Sequence, residues 1–277
     1  MVPVARILLS NDDGIDSPGL AALAEALDPI GQLRIVAPDR DRSATGHAIT
    51  VRDALKVERR TLAGRWPAFA VSGTPADCVK LGVLELFPDP PDLVVSGINP
   101  GANLGIDVFY SGTVAAAAEG VLLGIAAVAI SSITDKHAPR FDPARQVAPV
   151  IVQWMLQKRA EGQGVLLNVN VPDQVPDPVA ALRWTRIGLN RRYRDAFEKP
   201  PGTDGHFRLV GDADEGDRED PTTDAGAVHR GYVSVTPMQF DLTDYEALAR
   251  WGLRLGQPMF STEDRFTRQE APKATSA

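Results

Sequence analysis

Ile7-Leu8-Leu9-Ser10-Asn11-Asp12-Asp13-Gly14 is an apolar run that stops at two adjacent carboxylates and a glycine. It predicts a buried β-strand, ended by Gly14 and Pro18 ahead of an amphipathic segment from Leu20 to Leu27. Asp12 and Asp13 therefore fall just past the C-terminal edge of the first strand, where open α/β sheets bind their ligands. Two like charges side by side are costly unless a cation offsets them, and a hard divalent metal is the natural partner. An Asx turn with solvated carboxylates is the competing account, and position at the strand edge does not separate the two.

Working outward, strand-like runs at Arg6–Ser10, Leu33–Ala37, Ala68–Ser72, Leu93–Ser96, Ala126–Ser131 and Val165–Val171 alternate with helix-like segments. Those segments are Gly19–Leu27, Pro75–Phe87, Thr113–Gly124 and Pro143–Arg159. The alternation predicts an α/β fold, a mostly parallel sheet with helices on both faces. Right-handed crossovers then gather the loops that follow the strands along one edge. Those loops include Asn11–Gly14, Pro38–His47, Ser72–Asp77 and Ser96–Gly105, all rich in glycine and small polar side chains. Several such loops on one sheet edge point to a site.

The composition is that of a soluble globular chain of 277 residues, 44% hydrophobic and 23% charged, enough for one large domain with an appendage. Cys78 is the only cysteine, which excludes an intrachain disulfide and a thiolate metal cluster, and its helical setting suggests a small core residue. A formal net charge of −7 argues against binding a nucleic-acid polymer. The N-terminus lacks the features of a signal peptide and no apolar run approaches membrane-spanning length, so a cytoplasmic protein that does not engage a membrane is expected.

From about Arg183 the character changes. Arginines at 186, 191, 192 and 194 surround Tyr193, and Gly211–Asp224 is strongly acidic, a run expected to be a solvated loop. Gly231–Pro237 alternates like a strand and Thr243–Leu255 has helical periodicity. A core over residues 1–187 is expected, with residues 188–277 as a C-terminal extension carrying a hairpin, strand, helix and tail. Val233–Val235, apolar and apart from the core pattern, is expected to pair with a neighbouring subunit.

The ordered set of motifs resembles the SurE family, the survival-protein nucleotidases. Ile7–Gly14, Ala37–His47, Ser72–Val79, Val95–Gly105, Tyr110–Ala117, Leu167–Pro172 and Gly231–Pro237 carry the likeness over roughly residues 5 to 245. It implies a three-layer Rossmann-like fold and a 5′-nucleotidase, a metal-dependent phosphatase acting on nucleoside 5′- and 3′-monophosphates, with short polyphosphate a further substrate. It also implies a homodimer or homotetramer built through the C-terminal extension. The family's metal ligands fall on Asp12, Asp13, Ser43 and Asn99. Two carboxylates, a hydroxyl and an amide carbonyl form an all-oxygen set suited to one Mg²⁺ or Mn²⁺ per subunit.

Ser111-Gly112-Thr113 stands directly before the helical run Val114–Ala118. The first amides of a helix are unsatisfied and its dipole is positive there, which suits a phosphate; an ordinary N-cap is the plainer role. Asn11 and Asn103 are placed to offer amide donors to phosphate oxygens or to fix their own turns. His47 is a candidate for donating to phosphate or protonating the leaving oxygen, or for a structural hydrogen bond; His137, His206 and His229 are expected at the surface. Asp12 and Asp13 are the expected catalytic pair, with Asp12 holding metal and orienting the attacking water; direct attack by Asp12 is the alternative. Position 14 is glycine, not a second acid, which counts against direct attack. A dinucleotide-dependent oxidoreductase is disfavoured because the first strand does not end in a three-glycine turn, and a non-catalytic nucleotide sensor remains the rival class.

Overall fold

The computed structural model describes residues 4–135, 138–159, 165–189, 196–203, 205–210, 217–252 and 254–256. Along the chain run β1 (Ala5–Ser10), α1 (Pro18–Leu27), β2 (Gly31–Pro38), β3 (Val57–Leu62), β4 (Trp66–Val71) and α2 (Pro75–Leu81). Next come β5 (Leu93–Pro100), α3 (Gly112–Leu122), β6 (Ala127–Ser132), α4 (Asp142–Lys158) and β7 (Leu166–Val171). The C-terminal part holds β8 (Leu182–Trp184), β9 (Ala196–Glu198), β10 (Arg208–Val210), α5 (Asp224–His229), β11 (Val233–Met238) and α6 (Tyr245–Arg250).

Nine strands form one sheet in the order β3-β4-β2-β1-β5-β6-β7-β11-β8. The six from β4 to β7 are parallel, whereas β3 is antiparallel to β4 and β11 antiparallel to β7. The chain leaves β1 toward β2 on one side and later places β5 on the other. The loops after β1 and β5 thus flank the point where strand order reverses, the place where a doubly wound sheet opens a crevice.

Side chains alternate across the pleat, so Ile7 and Leu9 join one core while Leu8 joins the other. The first core is closed by α1 and α4 through Leu20, Leu23, Val147 and Ile151. The second is closed by α2 and α3 through Val79, Val114 and the small residues Ala116 and Ala117. Cys78 is fully buried in that second core, where desolvation pushes its thiol well above the ordinary value, consistent with a packing role. Helix starts follow local chemistry: Ser17 caps α1 ahead of Pro18, and Thr74 and Asp77 form a reciprocal capping box ahead of and within α2.

The structure corrects several expectations. The helix expected over Pro75–Phe87 keeps α-helical form only to Leu81 and continues as a π-type turn over Gly82–Leu86. The helix expected over Thr243–Leu255 shortens to α6. Strand β3 was not expected, because its sequence Val-Glu-Arg-Arg-Thr-Leu is mostly charged; it is an edge strand, where charge is tolerated and discourages edge-to-edge association. Val233–Met238 is not an unpaired strand awaiting a neighbour: β11 pairs with β7 and with β8 inside this chain. The division into compact units accordingly falls between Met238 and Gln239, rather than after residue 187. In the second unit Asp244 caps α6 by accepting from the Ala247 amide at 2.7 Å. The C-terminal hairpin is present as β9 and β10, with exposed Phe197 opposite exposed Leu209. Arg191, Arg192, Tyr193 and Arg194 lie outside the described residues, as does the first part of the acidic run at 211–216.

At the opposite edge from the crevice, Asp92 ties the sheet to α4. It accepts from the Arg6 amide at 2.8 Å and pairs with the guanidinium groups of Arg6 at 3.2 Å and Arg159 at 2.6 Å. Burial opposes ionisation, but the hydrogen bonds from Arg6 and the Arg159 charge prevail and hold the carboxyl below its ordinary value. A depressed folded-state value adds stability that is present above the unfolded value of about 3.9 and lost as pH falls through the folded one. Asp92→Asn is therefore expected to lower the melting temperature at pH 7, with the gap to wild type closing below about pH 4. Paired melts from pH 7 to pH 3 measure this, and a gap independent of pH would refute it.

Candidate functional site

The site is built from the end of β1 upward. Gly14 takes φ +100°, a conformation favoured by glycine, and a Cβ there would lie 2.9 Å from the Arg40 backbone, so the turn brings the β1 and β2 loops together. The Arg42 amide then donates to the Asp12 carbonyl at 2.8 Å, and the Arg42 guanidinium reaches the Ser72 carbonyl at 2.6 Å. Three loops that sequence placed on one edge are thus bound to one another.

Asp12 is almost fully buried beneath the first turn of α3. Thr113, itself fully buried, donates its hydroxyl to Asp12 Oδ1, and its backbone amide also favours the ionised carboxylate. Desolvation nevertheless pushes the Asp12 carboxyl above its ordinary value, with the Asp41 charge adding slightly. Gly112 makes the approach possible, since a Cβ there would sit 2.7 Å from Asp12 Cβ. Ser111 caps α3 by accepting from the Val114 amide at 3.0 Å, which leaves its hydroxyl hydrogen to donate elsewhere.

Asn99 stands at the end of β5, next to β1. Its Nδ2 donates to the Gly101 carbonyl at 2.9 Å, and its Oδ1 has no protein partner among the described residues. Ser43 is exposed, with both its amide and its hydroxyl donated to Asp41 Oδ1, at 2.7 and 2.6 Å. Among the described residues no group of three or more His, Cys, Asp or Glu is arranged to hold a metal ion, so a metal here would rest on two carboxylates and neutral oxygens. That donor chemistry fits a hard divalent cation, and the buried, strained ionisation of Asp12 is what such a cation relieves.

Two residues expected to donate to phosphate are otherwise committed. Asn11 gives its Nδ2 to the Gly14 carbonyl at 3.0 Å and to Ser17 Oγ at 2.8 Å, so it fixes the β1–α1 turn. Asn103 is buried and gives its Nδ2 to Ser131 Oγ at 2.7 Å. Asn168 and Asn170 on β7 hold the Asn103 backbone, donating to its carbonyl at 2.8 and 3.1 Å, while Asn170 Oδ1 accepts from its amide at 2.8 Å. The i, i+2 spacing of Asn168 and Asn170 is the signal that these side chains share a face.

His47 is held by Glu119: Nε2 lies 2.9 Å from Glu119 Oε2, while Lys80 donates to Glu119 Oε1 at 2.5 Å. Glu119 is buried in α3, six residues beyond Thr113 and so about 9 Å along the helix, and it gives His47 a structural partner. His206 and His229 are exposed, and His137 lies outside the described residues. The acidic run is not wholly solvated. Asp217 is buried, and Asp224 is completely so, accepting from the amides of Gly105 at 2.8 Å, Gly188 at 3.0 Å and Ala225 at 2.8 Å. Burial pushes the Asp224 carboxyl above its ordinary value, opposed by those amides. Asp224 thereby fixes the turn that leads through Gly105–Phe109 into α3. No local motif in the sequence distinguishes it from its acidic neighbours.

Residues 7–194 match the model of a family described as survival protein SurE. The chain is 46% identical over 257 residues to the 5′-nucleotidase SurE of Synechococcus sp. (strain JA-3-3Ab), covering 90% of this chain and 98% of that protein. It is likewise 46% identical over 248 residues to the 5′-nucleotidase SurE of Pelotomaculum thermopropionicum, covering 88% and 93%. The crystal structure of SurE protein from Aquifex aeolicus superposes with a TM-score of 0.73 at 39% identity, covering 88% of this chain and 97% of that one.

The contact between α3 and Asp12 leaves no room for a methyl group. Gly112→Ala is expected to destabilise the fold by about 1–3 kcal/mol, the usual cost of overpacking. A urea melt measures this, and an unchanged midpoint would show that the helix can retreat from Asp12 without penalty.

Proposed function

Because the chain belongs to the SurE survival-protein family, we propose that it is a metal-dependent phosphomonoesterase. It hydrolyses nucleoside 5′-monophosphates to nucleoside and phosphate, with 3′-monophosphates and short polyphosphate as further substrates. The 5′-nucleotidase class follows from the relatives that match nearly the whole chain. The observation that carries the chemistry is the buried Asp12 carboxylate under the N-terminus of α3, one strand away from Asn99, whose Oδ1 has no partner among the described residues.

Asp12, Asp13, Ser43 and Asn99 are the residues that would hold one Mg²⁺ or Mn²⁺. When bound, such an ion polarises the phosphoryl group and offsets its developing charge. Asp12 orients the attacking water. Its carboxylate is tied by Thr113 and enclosed by Gly112, a setting that favours holding a water over swinging into a covalent bond. Asp13 supplies the second carboxylate of the pair. Ser111 and the first amides of α3 are the donors for phosphate oxygens, helped by the positive end of the helix. Thr113 acts mainly through Asp12, and Asn11, Asn103 and His47 shape the loops.

Among the described residues no helix is long and apolar enough to cross a membrane. A cytoplasmic enzyme that assembles as a homodimer or homotetramer is part of the same proposal. It is supported by the β9–β10 hairpin, whose exposed Phe197 and Leu209 would gain from cover, since a lone two-stranded hairpin is marginal in water. Sedimentation is expected to give the mass of two or four chains, and the mass of a single chain would refute the assembly.

The activity is tested by phosphate release from AMP with Mn²⁺. Release is expected to stop on adding EDTA and to return with excess metal. Asp12→Asn is expected to retain the fold and lose about 10³-fold in kcat, the scale of removing a preorganised electrostatic group. Turnover at the wild-type rate by this variant, or release that is indifferent to EDTA, would overturn the mechanism.

A further inference from the structure

Ser43 is exposed, and its hydrogen bonds run to Asp41 inside the same loop. The anchors of that loop lie on either side of it. Before Ser43, the Arg42 amide is bound to the Asp12 carbonyl at 2.8 Å. After it, the Gly46 amide donates at 3.1 Å to the carbonyl of Tyr110, the residue directly before Ser111. One position further on, His47 Nε2 lies 2.9 Å from Glu119 Oε2. Between these anchors Ala44 holds φ +58°, a left-handed conformation that is unfavourable for an L-residue and persists where its surroundings impose it. Glu119 is the unusual member of the set. It is the one charged residue of α3, in a helix otherwise made of glycine, threonine, alanine, valine and leucine, and it is only 2% exposed. A carboxylate so placed is costly unless both oxygens find partners. Lys80 of α2 donates to Oε1 at 2.5 Å, and the second oxygen is committed to the loop that carries Ser43.

We propose that the Glu119–His47 pair is a positioning device for metal binding. It ties the Ser43 loop to α3, the same helix that covers Asp12, and so fixes the Ser43 oxygen relative to the Asp12 carboxylate before a divalent cation arrives. The inference rests on the reading of Asp12, Asp13, Ser43 and Asn99 as the residues that would hold the metal. Glu119 and His47 are positioning residues that act through Ser43, and the constrained turn at Ala44 converts a fixed loop into a fixed direction for the hydroxyl. Without the pair, the loop keeps its attachment at Arg42 but is free to swing beyond it, so part of the cation's binding energy is spent on ordering Ser43. Groups that orient metal ligands from outside the coordination sphere contribute about 10–100-fold to affinity. The loaded site then works as before, because the pair takes no part in the reaction itself.

Mn²⁺ affinity is measured on the full chain without substrate, from the loss of the free-ion EPR signal, and beside it kcat and KM on AMP at saturating Mn²⁺. His47→Ala is expected to weaken Mn²⁺ binding about tenfold. At saturating metal its kcat and KM are expected to stay within about twofold of wild type. His47→Gln, whose amide can still donate to Glu119, is expected to recover most of the affinity. Asp92→Asn, which loosens the far edge of the sheet, is the control for stability and is expected to bind Mn²⁺ as the wild type does. His47 is exposed, so its truncation spares the core. Gly46→Ala gives a second route, since a Cβ there would stand 2.9 Å from the Phe109 carbonyl oxygen and push the loop away; it is expected to weaken Mn²⁺ binding in the same sense, and it decides if His47→Ala fails to fold. Wild-type affinity in His47→Ala, no recovery in His47→Gln, or an equal loss in Asp92→Asn would overturn the positioning role while leaving the metal reading intact. A wild-type chain that binds no Mn²⁺ would instead refute that reading, and this inference with it.

Discussion

The burial of the Asp12 carboxylate against the N-terminus of α3 constrains much of what surrounds it. A buried carboxylate is tolerated only where hydrogen bonds, dipoles or a cation compensate it. Here the Thr113 hydroxyl and the start of α3 provide that compensation from the protein side, and Gly112 permits the approach. The arrangement fixes where α3 begins and how it lies on the sheet. It also leaves Asp12 with its ionisation still disfavoured by burial.

Around that contact the loops are held by hydrogen bonds to backbone groups. Arg42 joins the β2 loop to Asp12, and Asp77 accepts from the Thr50 amide at 3.0 Å, pinning the long segment between β2 and β3 to α2. Burial opposes it, but the hydrogen bonds from Thr50 and Thr74 hold the Asp77 carboxyl below its ordinary value, as expected of a carboxylate committed to amides and hydroxyls. On the other flank Asn168, Asn170 and Asp224 grip the backbone of the segment that leads into α3. Loops fixed in this way hold their side chains in place before any ligand arrives, the preorganisation that electrostatic catalysis requires.

Much of the fold was legible because its signals are local. Each of the six central strands is a short apolar run, and the cap at Ser111 is a short-range pattern in which a hydroxyl precedes the helix by one residue. Edge strands β3 and β8 and the short helix α5 were not legible, since half-exposed segments carry no continuous apolar pattern. Within the site, Asp12 and Asp13 announced themselves by position at a strand end, whereas Asn99 entered only through the resemblance to the SurE family. The roles of Asn11 and Asn103 were not legible, because an amide that closes a turn and an amide offered to a ligand have the same sequence neighbourhood. Only the partners, Gly14 and Ser17 in one case and Ser131 in the other, distinguish them.

By itself the sequence determined the layer architecture and the sheet edge on which the glycine-rich loops and the Asp12–Asp13 pair gather, because periodicity and strand-end position are properties of neighbouring residues. Tertiary structure alone decided that β11 closes onto β7 within the chain, that Asp224 is a buried clamp rather than one more solvated acid, and that Glu119 claims His47. It also decided that Thr113 faces Asp12, a hydrogen bond spanning 101 positions of sequence. Each of these depends on which distant groups exclude water from one another, and long-range desolvation leaves no mark on a local pattern.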